Sequence, residues 1–219
     1  MAEGDSEDGS AGPYSFTLPD GNTFPSAGTY TGLATARYPN GDSYEGDYVN
    51  GQKEGRGVYT YRNGDKFQGE YKANKRTGLG RTDYSAGGFY HGNYENGRRS
   101  GEGTRRYANG DIYYGQWKDG KQDGYGTYIF NTTKYKFVGH WKAGRMLEGS
   151  WRWRNSTAYD GKFELNKPCG DGTWSFANGT RVRGTYAQRV LPVDDSPDDE
   201  PHPAQKVELH WTTEGISAT

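Results

Sequence analysis

The sequence predicts an all-β protein: an elongated, twisted, single-layer antiparallel meander of short repeated hairpins. Three observations carry this. An aromatic–x–Gly start recurs at Tyr44, Phe67, Tyr90 and Tyr113, 23 residues apart each time, and again at Phe137 and Tyr159 after steps of 24 and 22. Such self-similarity at a fixed period is the signature of a repeat architecture. The chain is also rich in ring and glycine, with 19 Tyr, 6 Trp and 35 Gly. Leu, Ile, Val and Phe number only 25, too few for an ordinary globular core, so rings must supply the apolar area. Finally, Asn-Gly pairs punctuate the repeats at tight-turn positions.

Each element follows from the unit. In Tyr44-Glu-Gly46-Asp-Tyr48 the two aromatics and the glycine share one face of a strand, and Glu45 and Asp47 share the other. A second aromatic lies four residues past each start: Tyr48, Tyr71, Tyr94, Trp117, Trp141 and Phe163. Asn50-Gly51 then supplies the positive φ of a reversal. The return strand alternates, placing Gly55, Gly57, Tyr59 and Tyr61 on the ring face, with Arg56, Val58 and Thr60 opposite. Asn63-Gly64 reverses the chain again, as do Asn40-Gly41, Asn109-Gly110 and Asn178-Gly179. Gly-x-Gly pairs recur at 55/57, 78/80, 101/103, 124/126 and 170/172, and a cross-strand ring can lie flat over such glycines. The fifth copy departs: Leu147 stands where the first glycine belongs, with Trp151 and Trp153 after it, so a local twist or a contact site is expected there.

Organisation follows from where the pattern starts and stops. Residues 1–12 read as a disordered acidic N-terminus, and 13–43 as a divergent cap followed by a half repeat in which Ala34 takes a glycine place. The array fills 44–187, residues 188–205 form a Pro/Asp-rich linker, and 206–219 hold a short strand and tail. Residues 13–189 carry 26 basic and 17 acidic side chains, whereas the two ends carry 11 acidic and 1 basic, so a basic body is flanked by acidic ends. The single cysteine, Cys169, rules out an internal disulfide and a four-cysteine zinc site. The polar N-terminus contains no apolar signal segment, and the chain reads as soluble and intracellular. The N-x-[ST] triplets at Asn131, Asn155 and Asn178 are accordingly read as turn asparagines.

These units resemble the MORN repeat, a 23-residue hairpin of the type Tyr-Glu-Gly-x-Trp-x-x-Gly-x-x-x-Gly-x-Gly. Tyr44 to Gly57 and Tyr113 to Gly126 match it closely, and the resemblance covers residues 30–187. MORN arrays occur in lipid kinases, junction-forming membrane proteins, a histone methyltransferase, cytoskeletal scaffolds and ciliary radial spokes. A small, nearly all-MORN chain with acidic ends is most similar in size and layout to radial spoke head proteins. That resemblance implies a non-catalytic scaffold of the axoneme, in the cytoplasm and cytoskeleton of the cilium or flagellum. It implies spoke-head subunits as partners and a homo- or hetero-dimer.

Catalysis finds no support. His91 and His140 fall on the polar side of their strands, His202 and His210 lie in the tail, and no nucleophile–base–orienter motif accompanies them. The Gly-x-Gly pairs sit inside strands and do not open helices, which excludes a phosphate-binding loop. No cofactor, metal, nucleic acid or small-molecule substrate is expected. Partner binding is assigned to groove aromatics: Tyr59, Tyr84, Tyr107, Tyr128, Trp153 and Trp174. Arg98, Arg99, Arg105 and Arg106 form a second candidate, a basic patch for an anionic partner. In the alternative reading that patch binds anionic phospholipid and the chain is a peripheral membrane adaptor.

Overall fold

The computed structural model describes residues 14–190 and 207–218. The acidic N-terminus, residues 191–205 of the linker and residue 206 of the expected C-terminal strand lie outside the described residues. The fold is all-β, with every pairing antiparallel, and falls into two compact units, Met1–Gly120 and Lys121–Thr219.

The first unit holds β1 (Ser15–Thr17), β2 (Thr23–Phe24), β3 (Gly32–Arg37), β4 (Ser43–Val49) and β5 (Gln52–Thr60). It continues with β6 (Lys66–Lys72), β7 (Lys75–Asp83), β8 (Phe89–Glu95), β9 (Arg98–Arg106) and β10 (Ile112–Lys118). Here β1 pairs with both β2 and β3, and from β3 onward each strand pairs with the next. The second unit holds β11 (Lys121–Ile129), β12 (Lys136–Lys142), β13 (Arg145–Arg152), β14 (Ala158–Glu164), β15 (Lys167–Ser175), β16 (Arg181–Val190) and β17 (Val207–Ser217). These again pair in chain order. Strand β16 runs on to Val190, past the start expected for the linker, and the tail forms an eleven-residue strand along it.

Two-residue turns make the hairpins. Both central residues have positive φ at Asn50-Gly51, Ala73-Asn74 and Asn96-Gly97 in the first unit and at Ala143-Gly144 and Leu165-Asn166 in the second. That geometry matches the right-handed twist of paired strands. The opposite reversals are Asx turns, in which Asn40, Asn63 and Asn109 accept a hydrogen bond from the backbone N–H two residues on. Asn155 and Asn178 do the same.

The return strand differs from plain alternation. Gly46 pairs with Gly57 but Tyr48 pairs with Lys53, so three residues of β5 oppose Asp47 alone. Gly55 sits in this bulge at φ 65°, and Gly78, Gly101 and Gly170 take similar values in their copies. The first glycine of each Gly-x-Gly is therefore present for its backbone conformation, and the second is the ring seat. A Cβ on Gly57 would stand 2.3 Å from the Tyr44 hydroxyl oxygen and 2.4 Å from its ring, and Gly103 and Gly172 meet Tyr90 and Tyr159 in the same way.

The core is two columns of rings on one face of each unit. The start residues Tyr44, Phe67, Tyr90, Tyr113 and Tyr159 are fully buried, and the second aromatics are nearly so. In the first unit the start rings Tyr44, Phe67 and Tyr90 meet the next copy's second ring edge-on, Tyr44–Tyr71 at 5.1 Å, Phe67–Tyr94 at 5.0 Å and Tyr90–Trp117 at 5.2 Å. The hydroxyls of Tyr44, Tyr90 and Tyr113 donate to the backbone carbonyl three residues on, which satisfies them inside the core.

The fifth copy keeps the ring face by different means. The loop before it is one residue longer, closing from Phe130 N–H to Tyr135 O rather than over four residues as at Tyr61–Asp65. Its bulge is shorter, since His140 pairs with Glu148 and Trp141 with Met146, leaving Leu147 as the extra residue. Leu147 faces solvent, and Met146 is fully buried over Gly149. The gained and lost residues of the 24- and 22-residue steps are this loop and this bulge.

Candidate functional site

Two further rows of side chains lie on the ring face beyond the buried columns. One is the return-strand position opposite each start residue: Tyr59, Thr82 and Arg105 in the first unit, Tyr128, Trp151 and Trp174 in the second. The other opens the following loop: Tyr61, Tyr84 and Tyr107, then Phe130, Trp153 and Phe176. The six aromatics singled out from sequence divide between these rows, with Tyr59, Tyr128 and Trp174 in the first and Tyr84, Tyr107 and Trp153 in the second. All six are half-buried.

The structure brings some of them together. Trp153 packs on Trp151 at 4.1 Å and on Trp174 at 5.1 Å, with Tyr135 at 5.4 Å, so the irregular copy does carry a tryptophan cluster. Tyr84 and Tyr107 are joined through Arg105, whose guanidinium carbon lies 3.4 Å from one ring centroid and 5.4 Å from the other. Tyr59 donates 2.7 Å to the Asp42 carboxylate and stacks on Tyr38, while Tyr128 packs on Phe130.

The four arginines offered as one basic patch do not share a face. Alternation along β9 sends Arg98 and Arg106 to the polar face, where both are exposed and Arg98 pairs loosely with Asp119. Arg99 and Arg105 are half-buried among rings. Arg99 lies 4.9 Å from Trp117, donates 3.4 Å to the Tyr84 hydroxyl and 2.7 Å to the Gly120 carbonyl. Arg76 repeats this one copy earlier, donating to Tyr61 and to the Gly97 carbonyl, and Lys53 lies 4.8 Å over Tyr59 one copy earlier still. A cation 23 residues apart at 53, 76 and 99 was the available signal for this row, hidden because sequence neighbours looked like the patch. In the second unit the corresponding places hold Gln122, Met146 and Pro168.

Burial sets the electrostatics. It pushes Tyr94 up to about 12, against a hydrogen bond with Thr82 that pulls the other way. Burial also lowers the Arg105 guanidinium, with Arg99 adding repulsion. One terminal nitrogen of Arg105 is buried without a hydrogen-bond partner.

The opposite face of the second unit holds a shallow depression of about 470 Å³ lined by Tyr125, His140, Glu148, Ser150, Asp160 and Lys162, among others. Ser150 hydrogen-bonds to Asp160, while His140 packs edge-on against Tyr125 at 5.4 Å. That geometry is not a nucleophile–base pair. Among the described residues no cluster of His, Cys, Asp and Glu is placed to hold a metal, and no helix is long and apolar enough to cross a membrane.

The MORN repeat model matches residues 44–66, 67–89, 90–112, 113–132 and 159–181, just over half of the chain. The chain belongs to the MORN repeat family. The irregular fifth hairpin of this MORN array falls between the fourth and fifth matches. No curated protein matches the sequence. Among solved structures the chain is similar to the TCP domain of Drosophila melanogaster SAS-4 (dCPAP), in complex with a proline-rich motif of Ana2 (16% identity, 84% of this chain and 98% of that chain, TM-score 0.31). It is similar as well to a mutant TCP10 domain of Danio rerio CPAP (11% identity, 93% and 98% covered, TM-score 0.32). Scores this low carry over neither a superposition nor a partner.

Proposed function

We propose that this MORN chain is a non-catalytic scaffold of the radial spoke head in the ciliary or flagellar axoneme, holding neighbouring subunits on its ring face. The observation that carries the scaffold reading is the set of half-buried rings outside the core, Tyr59, Tyr61, Tyr84 and Tyr107 in the first unit and Tyr128, Trp151, Trp153 and Trp174 in the second. Rings that a folded chain leaves partly open beside a rigid sheet are what an extended partner segment covers. The spoke-head assignment rests on resemblance alone, that of a MORN array with a basic body and acidic flanks to those of radial spoke head proteins. Partners are spoke-head subunits or a second copy.

Tagging the chain in a ciliated cell tests this. It should fractionate with axonemes, and Tyr107→Ala and Trp153→Ala should each reduce its recovery there by several-fold while the purified variants remain folded. Recovery in the membrane fraction, or full axonemal incorporation of both variants, would refute the reading. The membrane-adaptor alternative loses its main support in the division of Arg98 and Arg106 from Arg99 and Arg105, because a bilayer engages one face at a time. Flotation with anionic liposomes is its direct test.

A further inference from the structure

The first unit's ring face carries more than rings. Lys53, Arg76 and Arg99 occupy one position of three consecutive copies, and Arg105 replaces the ring of the third copy in the adjoining row. Each of Arg76 and Arg99 is fixed by the same two contacts, a loop tyrosine hydroxyl and a turn carbonyl. The side chains are thus ordered in advance of any ligand, which reduces the entropy lost on binding.

Tyr84 is where the charges converge. Arg99 donates to its hydroxyl and Arg105 lies flat on its ring, so two guanidinium groups share one tyrosine. Two like charges are held together here and repel one another, and the half-buried guanidinium groups of Arg99 and Arg105 keep an accessible edge at which an anion would offset that repulsion. A carboxylate or phosphate has the planar or trigonal oxygens that a guanidinium fork matches.

Spacing selects among anionic partners. Equivalent positions in successive copies lie two strands apart, about 9.6 Å at the usual strand spacing. Three residues of extended or polyproline-like chain span about 9–10 Å. A polyproline II segment crossing the strands makes one turn in those three residues and so presents every third side chain to successive cations of the row, whereas in a β-extended segment residues three apart face opposite ways. A bilayer suits the site poorly, because these guanidiniums are sunk between rings while the exposed Arg98 and Arg106 lie on the other face.

We propose that the cation row Lys53, Arg76 and Arg99, joined at Tyr84 by Arg105, binds an acidic polyproline II-like segment of a partner protein whose carboxylates recur every third residue. This rests on the ring-face reading above and names the chemistry of the partner held by the first unit.

The test is fluorescence anisotropy on the full chain with three labelled synthetic peptides: four Ala-Ala-Asp triplets, an isomer with the same aspartates placed in adjacent pairs, and the triplet peptide with Asn for Asp. The triplet peptide should bind at least tenfold more tightly than its isomer, and the Asn peptide should not bind. Arg99→Gln and Arg105→Gln should each weaken binding about fivefold or more, while Arg98→Gln and Arg106→Gln should leave it unchanged. Equal affinity for the two isomers, undiminished binding of the Asn peptide, or equal effects of the polar-face variants would overturn the proposal, and the peptide comparisons stand even if an arginine variant fails to fold. Binding to phosphatidylserine vesicles that Arg99→Gln abolishes, without binding to any peptide, would replace it with a membrane partner. Failure of the peptides while Trp153→Ala still blocks axonemal incorporation would end this inference and leave the scaffold reading intact.

Discussion

The two units share a backbone plan and differ in what they place on it. Hairpin turns with positive φ and glycine ring seats recur in both. On that common frame the first unit sets Lys53, Arg76 and Arg99 among tyrosines, whereas the second has Gln122, Met146 and Pro168 in the same places and gathers Trp151, Trp153 and Trp174 beside them. One face is cationic and the other neutral and tryptophan-rich. Glycines and turns thus determine the strands, and the positions around the rings are free to determine what the face binds.

Aromatic content gives each unit its own optical probe, since residues 121–219 hold five of the six tryptophans and residues 1–120 hold 14 of the 19 tyrosines. The largest expected difference between the units is in alkali. Tyrosine in an unfolded chain titrates near pH ~10, whereas burial pushes Tyr38 and Tyr94 up to about 12 and raises Tyr44, Tyr48, Tyr59, Tyr71 and Tyr90 as well, against Tyr159 and Tyr186 among the described residues of the second unit. The folded state therefore holds protons that the unfolded chain gives up. The stabilisation is complete below about pH 10 and is lost as pH rises from there through 12, at about 1.4 kcal/mol per pH unit for each such tyrosine. Tyrosinate absorbance should rise steeply and cooperatively in that window, before tryptophan emission changes. A gradual titration centred on 10 would show that the ring core of the first unit is open to solvent.

Next in size, Gly103→Val in the first unit and Gly172→Val in the second should each cost about 3 kcal/mol, because a side chain would displace Tyr90 or Tyr159 from its seat. Urea melts read by both probes check this. Similar losses for the two variants support a common frame, and a much smaller loss in one unit breaks the comparison. Gly101→Ala should cost about 1–2 kcal/mol, since it places a Cβ on a residue at φ 60°. The smallest change is a gain: Leu165, exposed and held at φ 51°, should yield about 0.5–1 kcal/mol of stability on replacement by Asn, visible as a higher urea midpoint of tryptophan emission.

Much of this was legible beforehand. The period and the hairpins follow from side-chain alternation, and the reversals from the Asn-Gly pairs, which a sequence displays directly; of the glycines read as ring seats, Gly57 and Gly103 are such seats. The bulge does not: three residues opposing one leave the face of every later residue unchanged, so Gly55 looks like an ordinary strand glycine until its φ is known. The arginines misled for the reverse reason. Adjacent letters suggested a patch, while the pleat sends Arg98 and Arg99 to opposite faces. The docking of β17 on β16 depends on pairing across an intervening stretch that local pattern does not encode.

The fifth copy shows what kind of length change such an array tolerates. Its extra loop residue and its shortened bulge both fall at irregular points of the backbone, and Phe137, Met146 and Trp151 remain on the ring face. The same insertion within a strand would invert every side chain up to the next turn, exposing rings and burying charges. Loops and bulges thus act as the joints of the array, where residues can be added or removed without throwing its faces out of phase. What is inherited from copy to copy is a phase, of which the number 23 is only the commonest expression.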